Sequence, residues 1–360
     1  MSRWNYFLRR VLLAIPILVF STSITFLIIR AGPTDPVAAI LGPTGDPQQY
    51  HEIAVQLGIE RKVGPNQWVD VPLWEQYLDF IVDLFTFNLG TSWVISPDTS
   101  VYDVMASRAP KTIWLGFWSV LVALFVGIPL GFYAGLNPNT LSDYSASFGG
   151  IVWRAMPNFW LAVILSGILT QSEQLFGVAW ENFLVQTDGV IGAPDLRTIY
   201  RPLEAGLTVA NVQTAFTNLV AAIKWILPAA LVLGSSSMGN EMRIGRTAVL
   251  ETINSNYVET AKAKGLGPRI IVWKHVFRNA LIPLVPIITG EAFLLIGGSV
   301  LVESVFAING IGLLYFKAVK QGDLPLAGGL IFIFIVLTLA INIIQDFLYT
   351  LIDPRVGYED

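Results

Sequence analysis

The chain is predicted to be an all-α integral membrane protein, with six transmembrane helices, a cytosolic helix between the fourth and fifth, and two long extracytoplasmic loops. Three observations predict that class. Hydrophobic residues make up 54% of the 360 residues and charged residues 13%, about half the charge of a soluble domain, with a mean hydropathy of +0.60. Apolar runs of bilayer-crossing length recur along the chain, separated by polar excursions. One polar interval between such runs, 241–283, is long and basic, as cytoplasmic loops are.

The first element is an apolar run over 11–29, preceded by Arg3, Arg9 and Arg10. Nineteen residues at about 1.5 Å each just cross a hydrocarbon core of about 30 Å. A signal peptide would carry a shorter apolar region and an A-x-A cleavage site. The run is therefore read as a retained first span with its N-terminus in the cytoplasm. Residues 1–29 form the first region, and 30–111 an acidic extracytoplasmic region that begins rich in proline and glycine. Within it, 73–89 has a helical pattern with Trp74, Tyr77, Leu78, Ile81, Leu84 and Phe85 on one face. That face is expected to pack on the first span, the alternative being the outer membrane surface.

Residues 112–360 form the third region, a five-span core. Its spans are expected over 112–134, 144–169, 225–237, 281–302 and 326–348. The first of these holds Gly127-Ile128-Pro129-Leu130-Gly131, where a proline between glycines permits a bend and close packing. The fourth span of the whole chain is short and continues as helix into the 241–281 loop. The excursion over 171–223 is polar and has no assigned role. Six crossings place both termini and the 241–281 loop in the cytoplasm and the two long excursions outside.

The loop is the most informative stretch. Asn256 and Glu259 have the spacing of a capping box that opens a helix at Tyr257. Gly265 can close it in the left-handed conformation, and Pro268 suits the first turn of the next helix. The two turns between are too short to be stable alone in water. In the following helix Ile270, Trp273, Phe277 and Leu281 share one face, away from Lys274, His275 and Arg278.

Composition and motifs exclude several classes. A net charge of −4 does not suggest nucleic-acid binding. Cysteine is absent, which removes disulfides, thiolate metal sites and thiol nucleophiles. His51 and His275 fall in opposite expected compartments, which argues against a histidine metal site. No G-x-x-x-x-G-K-[ST] loop occurs, so any ATP hydrolysis belongs to another chain. No catalytic triad, carboxylate pair or HExxH stands in a suitable context, so the chain is not expected to be an enzyme. Arg154 and Glu291 are ionisable groups within spans, and each must face protein or water. They either pair with each other or with backbone carbonyls, or they line a translocation path with Arg154 facing a substrate carboxylate.

Glu259-Thr260-Ala261 followed by Gly265 resembles the coupling loop of ATP-binding-cassette importer permeases, in which the pattern begins Glu-Ala-Ala; threonine replaces one alanine here. Pro283 and the stretches AKAKGLG and HVFRNALIP are similar to the dipeptide, oligopeptide and nickel branch. So are LGTSW, VYDVMASRAP, GIPLG, MPNFW, VLVESVFAINGIG and NIIQDFLYTLIDPRVG. The resemblance covers most of 86–357 and is weakest over 171–223. The turn at 135–143 departs from relatives in lacking arginine or lysine.

The resemblance implies a permease subunit in the cytoplasmic membrane that translocates di- or oligopeptide, nickel or oligosaccharide. Its implied partners are a second homologous permease, two ATPase subunits that bind the ATP, an extracytoplasmic solute-binding protein and the lipid bilayer. No cofactor is expected on this chain. Tyr257, Glu259, Ala261, Lys262 and Gly265 would then couple it to the ATPases. The resemblance matches Glu303 to a family glutamate, where capping is favoured over substrate contact. An ion-coupled secondary transporter using Glu291, or a scaffold without transport, are the readings from other classes.

Overall fold

Almost every described segment folds as helix, as a chain without water around its backbone must unless it closes a barrel. The computed structural model describes residues 3–32, 35–42, 46–65, 67–178, 180, 197–291 and 299–352. Much of the 171–223 excursion, part of the expected fifth span and the Asp353-Pro354-Arg355 tail lie outside the described residues. The elements are α1 (Arg3–Arg30), α2 (Pro36–Leu41), α3 (Pro47–Gln56), β1 (Glu60–Gly64), β2 (Gln67–Asp70), α4 (Leu73–Phe85), α5 (Val101–Leu136), α6 (Leu141–Ala155), α7 (Asn158–Thr170) and α8 (Ser172–Phe176). There follow α9 (Arg197–Glu204), α10 (Val209–Ile253), α11 (Asn256–Ala263), α12 (Pro268–Glu291), α13 (Val300–Val305), α14 (Ile311–Gln321) and α15 (Leu324–Ile352).

Four of these contain stretches long and apolar enough to cross a membrane: α5, α10, α12 and α15. A fifth candidate is the pair α6 and α7, bent by 97°. Residues 144–169 are thus not one straight span. Pro157, which lacks an N–H and biases Met156 to extended backbone, breaks the helix. In α1, Leu12–Ile28 forms a shorter apolar stretch. The small antiparallel hairpin of β1 and β2, pairing Arg61 with Val69 and Lys62 with Trp68, was not expected from the sequence.

The chain divides into two compact units. Unit 1 comprises Met1–Ala109 and Ile311–Ala340. Its α2 and α3 start alike: Asp35 and Asp46 cap the second backbone amide onward, with Pro36 and Pro47 in the first turn. The α4 helix packs on α1, through Tyr77 and Phe80 against Phe26 with ring centroids 5.4 and 5.5 Å apart, and through a Ser23–Tyr77 hydroxyl contact of 2.6 Å. Trp74, Leu78 and Phe85 stay exposed, so the buried edge is narrower than the expected stripe and adds Phe80.

Sequence reading passed over Asp323. It is fully buried and accepts from Ser92 Oγ (2.6 Å) and from the backbone amides of Trp93, Val94 and Ile95 at 3.0–3.2 Å. One carboxylate thereby holds the loop after α4. Asp323→Ala is expected to destabilise the protein by about 3–5 kcal/mol, since it orphans several buried donors. Asp323→Asn should recover part of that. Thermal melting of the detergent-purified variants checks the order.

Unit 2 comprises Pro110–Gly310 and Ile341–Asp360. Its centre is the contact of α5 with α10. Gly127, Gly131 and Gly135 recur every four residues along α5 and face α10. A Cβ on Gly127 would stand 2.6 Å from Glu241 Oε2, and one on Gly135 would stand 2.7 Å from Val249 Cβ. One on Gly131 would run into the backbone of Met242. This is close small-residue packing of membrane helices, and it is the use made of the GIPLG stretch. The helix widens to π-type hydrogen bonding over Ala123–Gly127, just before that seam. Elsewhere in the unit Glu303 is fully buried and accepts from Thr112 Oγ1 at 3.0 Å, a structural role.

Candidate functional site

The α10 helix runs unbroken for 45 residues, and only Asn254 and Ser255 separate it from α11. Ser255, not Asn256, stands at the N-cap, and its side chain does not cap the helix. It donates back to Thr252 O instead, at 2.6 Å. The expected capping box is therefore not formed. The other end is as expected: Gly265 has φ +75°, Leu266 N–H reaches Ala261 O, and Pro268 opens α12.

The two-turn α11 is held by Val258, which is buried in a cluster with Phe132, Val249, Ile271, Val276 and Leu284, and Ala261 on the next turn is buried as well. Tyr257, Glu259, Lys262 and Gly265 are exposed. Of the five coupling candidates, Ala261 thus lies on the buried side of the helix and the other four form its free face. The buried edge of α12 is Ile271, Val276, Ala280 and Leu284, whereas Ile270 and Trp273 are exposed. Of the expected stripe, Phe277 and Leu281 pack against that cluster, and Ile270 and Trp273 are corrected to exposed positions. A π-helical stretch over Ile271–Phe277 steps the inward face by five residues before the ordinary spacing of four resumes.

A second contact ties the turn before α6 to this assembly. Asp143 is 1% exposed and receives Arg246 Nε and Nη2 at 2.6 and 2.8 Å. Asn139 N–H also donates to it, at 3.0 Å. The turn that lacks basic residues in the sequence thus borrows its cation from α10, in the fork geometry arginine favours.

Within the expected spans, Arg154 and Glu291 are not brought together. Glu291 accepts from Ser237 Oγ at 2.9 Å, and Arg154 lies along Gly239. The acidic neighbour of Glu291 was missed. Glu241, the first residue of the basic 241–283 interval, is fully buried against Gly127, with neither carboxylate oxygen hydrogen-bonded among the described residues. Two acidic groups in one helical bundle attract cations and repel anions. The only prior signal was a glutamate placed within one turn of an apolar run.

Residues 127–358 match the family model described as binding-protein-dependent transport system inner membrane component, and residues 3–116 match its N-terminal companion. The chain belongs to this family. Among curated relatives, the oligopeptide transport system permease protein AppB of Bacillus subtilis is 31% identical, over 98% of this chain and 99% of its own. The dipeptide transport system permease protein DppB of Alkalihalophilus pseudofirmus is 30% identical over 98% and 99%. The di/tripeptide permease DppB of Pseudomonas aeruginosa is 30% identical over 99% of each. The chain is accordingly a permease subunit of an ABC importer, a multi-pass membrane component of a larger transport complex. That assignment decides against the secondary-transporter and scaffold readings, and the permease family is not one of enzymes.

Proposed function

We propose that this permease carries di- or oligopeptides, pairs with a second homologous permease, and is driven by two ATPase subunits that grip α11. An extracytoplasmic binding protein delivers the substrate. In this reading the chain crosses the membrane six times, with α1 and the bent α6–α7 pair among the crossings, and both termini and α11 lie in the cytoplasm. The names of the relatives support the substrate class. One observation carries the coupling: Val258 of α11 is buried among residues of α10 and α12, while Tyr257, Glu259, Lys262 and Gly265 stay open. A push on the open face passes through Val258 to both long helices. ATP binding acts because it favours one arrangement of the complex over another. Glu291 and Arg154 remain the candidates for the translocation path, where Glu291 would face the ammonium end of a peptide and Arg154 its carboxylate.

The chain has no cysteine, so Lys262→Cys introduces a unique thiol. Cross-linking from it should capture the ATPase subunit in membranes, while Lys62→Cys in the β1–β2 hairpin should not. Labelling of Lys262→Cys by an impermeant reagent from outside intact cells would overturn the reading. Gly265→Val should lower peptide uptake roughly tenfold, because a β-branched residue in the left-handed region costs about 1–2 kcal/mol. Uptake of labelled peptide in cells lacking the native chain measures it.

A further inference from the structure

Between α6 and α10 lies a cavity of about 220 Å³, lined by none of the coupling candidates and by one of the two path candidates, Arg154. The two helices touch at its floor, where a Cβ on Gly239 would stand 2.9 Å from the carbonyl oxygen of Gly150. Three guanidinium groups border it: Arg154 from α6, and Arg243 and Arg246 from α10. Among the described residues only Arg246 has a carboxylate partner, that of Asp143. Arg243 donates to the neutral Asn240 at 3.2 Å, and Arg154 has no hydrogen-bond or ion-pair partner in this protein among the described residues. The cavity therefore carries an excess of two positive charges contributed by two different helices.

Two further features describe what would fill it. Ile151 lines the cavity and is 67% exposed, and Phe148, one turn before it, is 70% exposed. An occupant would thus meet cations and bare apolar surface together. The level along α10 is also informative. Gly239 follows the apolar run 225–237 by two residues, and Arg243 and Arg246 come within the next two turns. That places the guanidiniums where an apolar helix emerges toward the headgroups, the depth at which arginine side chains settle.

We propose that this cavity binds the phosphodiester headgroup of an anionic phospholipid, with Arg154 and Arg243 as its direct contacts and Arg246, fixed by Asp143, completing the field. Paired guanidiniums suit phosphate oxygens, and basic pockets between membrane helices are where acidic lipids lodge. A free phosphate ion would satisfy the charges but not the apolar wall. The inference requires only that the chain is embedded in a membrane, and not the proposed topology or substrate.

The test uses the purified transporter complex in nanodiscs and spin-labelled phosphatidylglycerol, with phosphatidylcholine as reference. The native protein should immobilise phosphatidylglycerol in preference to phosphatidylcholine. The double variant Arg154→Gln/Arg243→Gln should lose that preference by roughly thirtyfold, as expected for two basic residues near the surface. Arg269→Gln, which removes one charge from the same loop away from the cavity, should keep it. Arg154→Lys/Arg243→Lys retains the charge, and its intermediate preference keeps the test decisive if the glutamine variant folds poorly. Equal immobilisation of the two lipids by the native protein, or an unchanged preference in the glutamine variant, overturns the proposal. Displacement of the labelled lipid by millimolar inorganic phosphate would assign the site to the free ion. Displacement by a transported peptide would assign it to the cargo. Either result also overturns it.

Discussion

Gly131→Ala should destabilise the permease by about 3 kcal/mol or more, at the upper end of overpacking effects, and Gly131→Val should leave no folded protein in the membrane. A methyl group at this position has no flexible neighbour to displace. It would overlap the backbone carbonyl of Met242 and stand 2.9 Å from the Met242 Cα, so α5 and α10 would have to separate as rigid bodies. The same separation would strip packing from Gly127 and Gly135 on the same ridge. Gly149→Ala is the matched control, because nothing lies within 4 Å of a Cβ there; it should be neutral or stabilising by up to about 1 kcal/mol, as alanine replaces glycine within a helix. Melting temperatures of the two alanine variants in detergent should move in opposite directions. Equal shifts would remove the argument for a tight glycine seam.

Arg246→Ala should cost about 3–5 kcal/mol, because it leaves the Asp143 carboxylate buried without its cation. The arginine itself is less enclosed than the aspartate, whose side chain is 1% exposed against 30% for Arg246. The loss is therefore dominated by the abandoned anion. Arg246→Met combined with Asp143→Leu should recover most of the stability, since removing both charges takes away the desolvation cost together with the attraction. Comparison of the single and double variants by thermal melting gives the coupling energy. A double variant no more stable than Arg246→Ala alone would show that the pair does not act as a unit.

Features determined over a few residues were legible in the sequence. Gly265 and Pro268 mark a helix end and a helix start through their own backbone preferences, and the aromatic spacing of α4 foretold its seat on α1. Features that depend on distant partners were not. Whether Glu241 faces water or protein is decided by Gly127, more than a hundred positions earlier, and nothing near Glu241 records it. The inward edge of α12 was misread because a π-type turn changes the helical period without changing composition. The break at Pro157 was hidden by its apolar flanks, since prolines within membrane helices often produce only a bend. The Asp143–Arg246 bond joins two polar residues that each look like ordinary solvated surface.

The uninterrupted α10 helix has a mechanical consequence. Forty-five residues make a rod of roughly 68 Å at about 1.5 Å per residue, more than twice the thickness of the hydrocarbon layer. Moving as one piece, a rod of that length works as a lever arm: a tilt of about 5° at one end sweeps the other through roughly 6 Å, about one helical turn. With α11 fastened at one tip, angular adjustments too small to disturb side-chain packing become displacements the size of a peptide unit at the opposite tip.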